Sequence, residues 1–199
     1  MTVRVITAPS VEPLSLTEAK LHLREDLSTQ DTLITALIVA AREYAELYTG
    51  RVFVQRTLEW TQDCFPYCIE LPFPPLVSVS SVKYIDTDGV LQTVSAADYQ
   101  VDTYSEPGKV KPAYGVAGWP SVRSSDFNAV QVRYVAGYPE GSPADYASGV
   151  PEPVKQWMRI RIAQLYEHRE AVIAGTIAAP LPRDFVDGLL DPYRVGLLA

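Results

Sequence analysis

The feature that most constrains the fold is a helix predicted over residues 28–50, because two of its sides are apolar. Ser28 is a natural N-cap, and Gly50 is expected to stop the helix just after its end. Its apolar surface is interrupted only where Arg42 and Glu43 appear. Since such a helix needs neighbours on both apolar sides, we predict that it is the central helix of the chain. One apolar row consists of Leu33, Leu37, Ala40 or Ala41, Tyr44 and Tyr48, and the other consists of Ile34, Ile38, Ala41 and Ala45.

The segments around this helix predict further helical parts. Residues 15–18, Ser-Leu-Thr-Glu, form a capping box, and a short amphipathic helix is expected after it. Its close connection to the central helix predicts an αα-hairpin. Beyond a linker rich in proline and glycine, Pro153 is well placed as a first helical residue, and an amphipathic helix is expected from there to about Glu170. Residues 1–14 are expected to form an extended arm.

Short strands are predicted between the helical parts. An alternating run at residues 77–85, a turn at 86–89 and a returning run at 90–94 predict a hairpin. Further short runs separated by turn signals predict a small antiparallel sheet or barrel. We therefore predict an α+β chain, in which a helical bundle (the N-terminal αα-hairpin plus C-terminal helices) carries an inserted small antiparallel β domain. The expected divisions are residues 1–51, 52–136 and 137–199, with 1–51 and 150–199 forming one helical core.

Composition limits the classes of partner. The chain has a formal net charge of −7, and its 17 lysines and arginines are scattered along the sequence. A protein that grips nucleic acid through its phosphates needs a basic surface, whereas an acidic wall is compatible with DNA that slides past it. The sequence contains no apolar run of about 18 residues and no apolar signal-peptide core near its N-terminus. We therefore expect a soluble cytosolic protein that does not enter a membrane.

Few residues suggest catalysis or metal binding. Cys64 and Cys68 together would leave a zinc ion two ligands short, so we interpret them as structural cysteines. His22 and His168 have no second histidine four residues away on their predicted helices, and the sequence contains no nucleophile or phosphate-binding motif. We therefore predict no catalytic residue, no metal, no cofactor and no enzymatic activity.

Aromatic residues are the more informative feature, since the chain has 12 tyrosines and 3 tryptophans. Tyr44 and Trp157 occupy positions that are expected to face inward, whereas Tyr104, Tyr114 and Trp119 fall in predicted loops. Loop aromatics either cover a small core or anchor contacts with another protein, and both interpretations stay open.

Seven segments form a series along the chain: 11–24 (VEPLSLTEAKLHLR), 41–51 (AREYAELYTGR), 70–76 (ELPFPPL), 77–86 (VSVSSVKYID), 132–138 (VRYVAGY), 165–171 (LYEHREA) and 184–194 (DFVDGLLDPYR). In this order they resemble the head–tail connector proteins of long-tailed phages. Related connectors occur in gene transfer agents, the phage-like particles that some bacteria make. The resemblance implies an adaptor subunit without known catalytic residues that forms a ring, usually of twelve copies, beneath the portal. Such a ring would extend the channel for double-stranded DNA and bind a tail-side stopper or tail terminator protein.

Two sets of contact residues follow as predictions. Residues 180–199 are apolar, interrupted by prolines and poor in any self-packing pattern, so we expect them to dock on the portal through Phe185, Leu189, Leu190, Tyr193 and Arg194. Contacts between copies in the ring are expected at Tyr44, Tyr48, Arg159, Tyr166 and Arg169. The protein is expected in the neck of the particle and, during assembly, in the bacterial cytoplasm.

Two alternatives stay open at this point. One is a virion accessory or tail-completion protein with another place in the particle. The other is a small-ligand-binding or enzymatic domain that uses the β block as a pocket, which would require a concave site with a perturbed acid or histidine. If the adaptor interpretation holds, carboxylates are expected to line most of the lumen.

Overall fold

A computed structural model describes residues 1–123, 125–139, 149–168 and 187–196. Helices and antiparallel sheets occur together, so the chain is α+β, as predicted. It divides into two compact units, each assembled from two stretches of sequence. The β unit consists of Met1–Ser10 and Gln55–Gly137, and the helical unit consists of Val11–Val54 and Tyr138–Ala199.

The β unit contains two antiparallel sheets. Five strands form one sheet in the order β1-β2-β8-β4-β5, and three strands form the other in the order β3-β7-β6. The strands are β1 (Thr2–Thr7), β2 (Arg56–Gln62), β3 (Ile69–Leu71), β4 (Leu76–Ile85), β5 (Leu91–Thr93), β6 (Tyr99–Asp102), β7 (Gly108–Pro112) and β8 (Val130–Ala136).

Alternation along the two central strands separates a core face from a polar face. On β2, Leu58 and Trp60 are buried, and the register places them opposite Tyr134 and Val132 of β8, which are buried as well. The residues between them, such as Glu59, point to the other face of the sheet. Burial raises the pKa of the Tyr134 phenol, whose hydroxyl donates to the carbonyl of Pro72.

The predicted hairpin is present as β4 and β5. The Asp86 carboxylate accepts hydrogen bonds from the backbone N–H groups of Asp88 and Val90 and from the side chain of Gln92. These bonds, with the Gln92 contribution largest, hold the pKa of Asp86 below its ordinary value. Gly89 adopts φ +84°, a conformation that glycine tolerates better than other residues. The hairpin prediction is confirmed.

The N-terminal residues require a correction, because they are a strand of the β unit instead of a free arm. Strand β1 pairs antiparallel with β2, with Thr2 opposite Thr61 and Arg4 opposite Glu59. The pairing partner lies more than 50 residues away in sequence, so the two prolines near the N-terminus indicated extended backbone but not where it docks.

The helical unit contains α1 (Leu16–Leu23), α2 (Asp31–Thr49) and α3 (Glu152–Glu167). The capping box at α1 is confirmed, since the Ser15 and Glu18 side chains bond reciprocally to each other's backbone N–H. The predicted cap at Ser28 is wrong, because Ser28 begins a short 3-10 turn and α2 starts three residues later. Gly50 ends α2 with φ +70°, as predicted.

Helix α2 packs against both α1 and α3, which satisfies its two apolar sides. The second of its predicted apolar rows faces the core, and Arg42 is buried there instead of marking a polar surface. The Arg42 guanidinium bonds to Glu12 at 2.7 Å and to Glu46 at 2.9 Å. Burial by itself would lower the pKa of Arg42, but the hydrogen bonds and the negative charges of Glu12 and Glu46 outweigh it and raise that pKa. None of the described helices is long and apolar enough to cross a bilayer.

Candidate functional site

The helical unit carries a stack of aromatic rings and arginines, which we call the aromatic patch: Tyr44, Tyr48, Trp157, Arg161 and Arg194. The Tyr44 ring lies 5.5 Å from the buried Trp157 ring and 6.4 Å from the Tyr48 ring, and all three are nearly parallel. The guanidinium of Arg161 lies over Tyr44 at 5.5 Å, and that of Arg194 lies over Tyr48 at 5.1 Å. Stacking between cations and rings fixes the orientation of these long side chains.

Residues 187–196 build one side of the aromatic patch. Leu190 has 0% exposure and belongs to the core of the helical unit. The Tyr48 hydroxyl donates to Asp191 at 2.7 Å, and the Trp157 indole N–H donates to Asp187 at 3.2 Å. The hydrogen bond to Asp191 is the main cause that raises the pKa of Tyr48. The segment is therefore packed on the chain's own helices.

Two backbone contacts extend this attachment to the end of α2. The Arg51 guanidinium donates to the carbonyl of Tyr193, and the N–H of Val195 donates to the carbonyl of Thr49 at 2.8 Å. The second bond gives a partner to the last carbonyl of α2, where helix carbonyls have no intrahelical donor. The described C-terminal residues thus hold the aromatic patch in one geometry.

The aromatic patch is suited to protein contact. Tyr44 is 43% exposed and Leu47, one turn further along α2, is 85% exposed. Tyrosine and arginine are enriched among residues that carry binding energy at interfaces, and a rigid patch loses little entropy when a partner binds. The prediction that Tyr44 faces inward is therefore wrong, because the inward place beside α2 is taken by Trp157.

The structure brings together residues that the sequence assigned to two different interfaces. Tyr44 and Tyr48, expected between copies, lie in the same patch as Arg194, expected at the portal. Leu189 and Tyr193 pack partly buried against the helical core beside them. Leu190 is a correction, since its side chain is enclosed by the core and is not on the surface. The premise that this segment packs poorly on its own chain is also wrong.

The other predicted contact residues lie elsewhere. Arg159 forms ion pairs with Glu18 at 3.5 Å and Glu152 at 3.4 Å, and the Tyr166 hydroxyl donates to Glu25 at 3.0 Å. These contacts join α3 to α1 and its C-terminal loop within one copy. Phe185 and Arg169 lie outside the described residues.

Several contributors to the aromatic patch were missed from the sequence. Asp187 and Asp191 look like ordinary turn residues, and nothing in the sequence distinguishes Arg161 from the other arginines of its helix. Leu47 belonged to neither predicted apolar row, which was the signal for an exposed leucine. The other three could have been noticed only with knowledge of which helix faces meet.

Among its described residues the β unit offers cavities but no arrangement typical of an active site. One cavity measures about 360 Å³ and is lined by Tyr67, Cys68, Gln100, Val101, Asp102, Lys109 and Lys111. The pKa of Asp102 is lowered, mainly by the hydrogen bond from the Ser105 hydroxyl, which suits a turn residue and not a proton acceptor. Cys64 and Cys68 are free thiols. Among the described residues no group of three or more His, Cys, Asp or Glu side chains could hold a metal ion.

Residues 13–104 match the family model of phage gp6-like head–tail connector proteins. The predicted resemblance to head–tail connectors is confirmed. The connector match spans slightly less than half of the chain and includes α1, α2 and the strands from β2 to β6, so it draws on both units. No curated protein sequence matches the chain.

The fold is shared over nearly the whole chain with solved structures from gene transfer agent (GTA) particles. A chain in the neck of an empty GTA particle computed with C6 symmetry has a TM-score of 0.77 and 23% identity, covering 98% of this chain and 96% of that one. A chain in the virion of a native GTA particle has a TM-score of 0.74 and 22% identity, with the same coverage of both chains. A chain in the neck of a native GTA particle computed with C12 symmetry has a TM-score of 0.73 and 18% identity, covering 98% of this chain and 96% of that one. At this level of identity the likeness shows the fold alone.

Proposed function

We propose that the chain is a head–tail adaptor subunit that forms a ring below the portal and links the head to a tail-side stopper or tail terminator protein. The observation that carries the proposal is the full-length likeness to chains from the necks of GTA particles, which is joined by the connector family match. In this proposal the helical unit is the helical bundle of the adaptor, and the β unit is an inserted domain that makes the subunit larger.

The ring is proposed to contain twelve copies and to extend the channel through which double-stranded DNA passes. One of the similar neck structures was computed with C12 symmetry and another with C6, which a twelve-membered ring also satisfies. The net charge of −7 supports a wall that repels the phosphate backbone and does not retain the genome. We expect a lumen lined mainly by carboxylates; a mapped lumen dominated by lysine and arginine would contradict this part of the proposal.

We assign the aromatic patch, together with Leu47, to the portal contact. Residues 187–196 contact Tyr48 through the hydrogen bond to Asp191 and the stacking of Arg194 over its ring. Tyrosine and arginine are enriched at interface hot spots, and Leu47 adds an exposed apolar side chain on the same helix. An exposed row of α2 beside the aromatic patch consists of Ala36, Ala40, Glu43 and Leu47, so it presents small and apolar side chains together with one carboxylate. The particle neck is the proposed final location, after assembly in the bacterial cytoplasm.

The experiment combines the purified chain with the portal protein of the same particle and measures the mass and symmetry of the product by native mass spectrometry and electron microscopy. We expect a closed ring of twelve copies on one face of the portal, including when the free chain is a monomer. A chain that stays unbound, or that joins the particle only at the tail side, would contradict the adaptor proposal and favour a tail-completion protein.

A matched pair of variants tests the patch. Leu47→Asp is expected to weaken portal binding at least tenfold, since loss of a hot-spot contact costs about 2 kcal/mol or more. Leu21→Asp, at an equally exposed leucine on α1, is expected to bind within about twofold of the unaltered chain. Equal loss in both variants would show that the patch has no special role.

A further inference from the structure

Strand β1 is attached to the β unit without a buried side chain. It lies at the edge of the five-stranded sheet, and none of its residues is buried. Val5 is 54% exposed, and the register of the pairing with β2 is irregular between Val5 and Thr7. Its attachment therefore depends on backbone hydrogen bonds to β2 and on the ion pair between Arg4 and Glu59.

The buried carboxylate opposite β1 has a second partner that does not depend on this strand. Glu59 accepts from Arg4 at 2.5 Å and from Arg133 of the central strand β8 at 2.9 Å. Removal of an only partner from a buried charge is strongly destabilising. Since Arg133 remains, β1 can leave and return without leaving the Glu59 carboxylate unpaired. When β1 returns, its backbone pairing with the edge of β2 and the ion pair between Arg4 and Glu59 define the same register.

Chain connectivity allows this strand to come from another copy. The β unit includes Met1–Ser10, and the chain then enters the helical unit at Val11. No residue of β1 belongs to the core cluster of the helical unit. Exchange of β1 would therefore leave the described cores of both units intact, and it requires the neighbour's β2 edge to lie within the roughly 10 Å that residues 8–10 can span. Pro9 favours extended backbone in the connection.

From these observations we propose that β1 is exchanged between adjacent copies when the subunits assemble, so that Arg4 of one copy pairs with Glu59 of the next. The inference rests on the proposed function, because it needs a ring. An exchanged strand makes the same ladder and ion pair as a closed one, so exchange costs little beyond the connection. In a head-to-tail ring each copy gives one strand and receives one, which links every neighbour.

Disulfide trapping tests the exchange. Thr7 and Thr57 face each other across β1 and β2, so Thr7→Cys/Thr57→Cys in a Cys64→Ser/Cys68→Ser background reports which copy supplies β1. The control, Thr57→Cys/Val135→Cys in the same background, joins β2 to β8 within the sheet. Both variants are oxidised before and after assembly on the portal and separated on non-reducing denaturing gels.

Before assembly we expect both disulfides to lie within one chain. After assembly the Thr7→Cys/Thr57→Cys variant is expected to give covalent multimers, whereas the control stays a single chain. Oxidation before mixing is expected to abolish ring formation in the first variant, with recovery on reduction, and to leave the control unaffected. Rings whose Thr7→Cys/Thr57→Cys bonds stay within one chain, or multimers from both variants, would overturn the exchange and leave the adaptor proposal intact. Absence of any ring with the unaltered chain would overturn the adaptor proposal, and the exchange with it.

Discussion

The two ends of the described chain are held in opposite ways. At the N-terminal end, β1 adds backbone pairs and the exposed Arg4 to a sheet edge but no buried side chain. At the C-terminal end, residues 187–196 place Leu190 inside the core and add side-chain hydrogen bonds through Asp187 and Asp191. Both described ends are attached to the protein, but only the C-terminal segment is part of a core. Burial, and not closeness to a terminus, determines what a segment can do.

This difference changes how portal docking should be tested. Removal of residues 180–199 would take Leu190 out of the helical core, so lost portal binding could result from a damaged fold. Substitutions at exposed residues of the aromatic patch test portal binding without removing buried side chains from the helical core. The N-terminal strand has no such constraint, and it can be locked or altered while both cores remain.

The largest expected effect is at Leu190. Leu190→Ala should lower the free energy of unfolding of the helical unit by about 2–5 kcal/mol, because it removes buried methyl groups and leaves a cavity. Val5→Ala, the matched truncation in β1, should cost about 0.5 kcal/mol or less, since Val5 is largely exposed. Urea denaturation measured separately for each variant checks both values. Similar losses at the two sites would break the comparison between the ends.

A smaller effect is expected at the hydrogen bond from Tyr48 to Asp191. Tyr48→Phe keeps the ring in the stack but removes the hydroxyl, and should cost about 0.5–1.5 kcal/mol. Tyr114→Phe, at a fully exposed tyrosine of the β unit, is the control and should leave stability unchanged. Thermal unfolding followed by circular dichroism is sufficient for this measurement. If Tyr48→Phe is also neutral, the bond from Tyr48 to Asp191 does not contribute to holding the C-terminal segment.

At the N-terminal strand, Arg4→Ala should cost about 1 kcal/mol or less, because the Arg4 side chain is 67% exposed and Glu59 keeps Arg133. Arg123→Ala, which removes an exposed arginine elsewhere in the β unit, gives the baseline for a lost surface charge. Chemical denaturation of the two variants compares them directly. A loss above about 3 kcal/mol for Arg4→Ala would mean that Arg133 does not sustain the buried carboxylate, and would weaken the case for a removable strand.

Features fixed by neighbours in sequence could be predicted, and features fixed by distant contacts could not. The Ser15–Glu18 capping box and the stop at Gly50 each depend on chemistry within a few residues. The hairpin turn at Asp86 also depends on bonds between residues that are close in sequence. Ser28 failed as a cap because the chain tightens into a 3-10 turn before α2, which a cap pattern does not distinguish from a helix start.

The candidate site was predicted in its residue types but not in its arrangement. Tyr44 stacks on Trp157, more than 100 residues away, and helical periodicity does not say which face α3 covers. Arg42 was taken as the start of a polar surface, although its spacing of four from Glu46 is compatible with an ion pair. The burial of that pair depends on Glu12, which comes from the loop before α1.

The smallest expected effect is a pH dependence that isolates Glu59. Burial by itself would raise the pKa of Glu59, but hydrogen bonds from Arg133 and Arg4 outweigh it and hold that pKa below the ordinary value of 4.5. The unfolded chain therefore binds a proton at Glu59 before the folded chain does, and stability falls as pH drops below about 4.5 towards the folded pKa. Glu59→Gln should flatten this part of the stability curve, whereas Glu70→Gln, at an exposed glutamate on β3, should not. If both variants follow the curve of the unaltered protein in acid denaturation, Glu59 contributes no acid-sensitive stability, and the backbone ladder alone attaches β1.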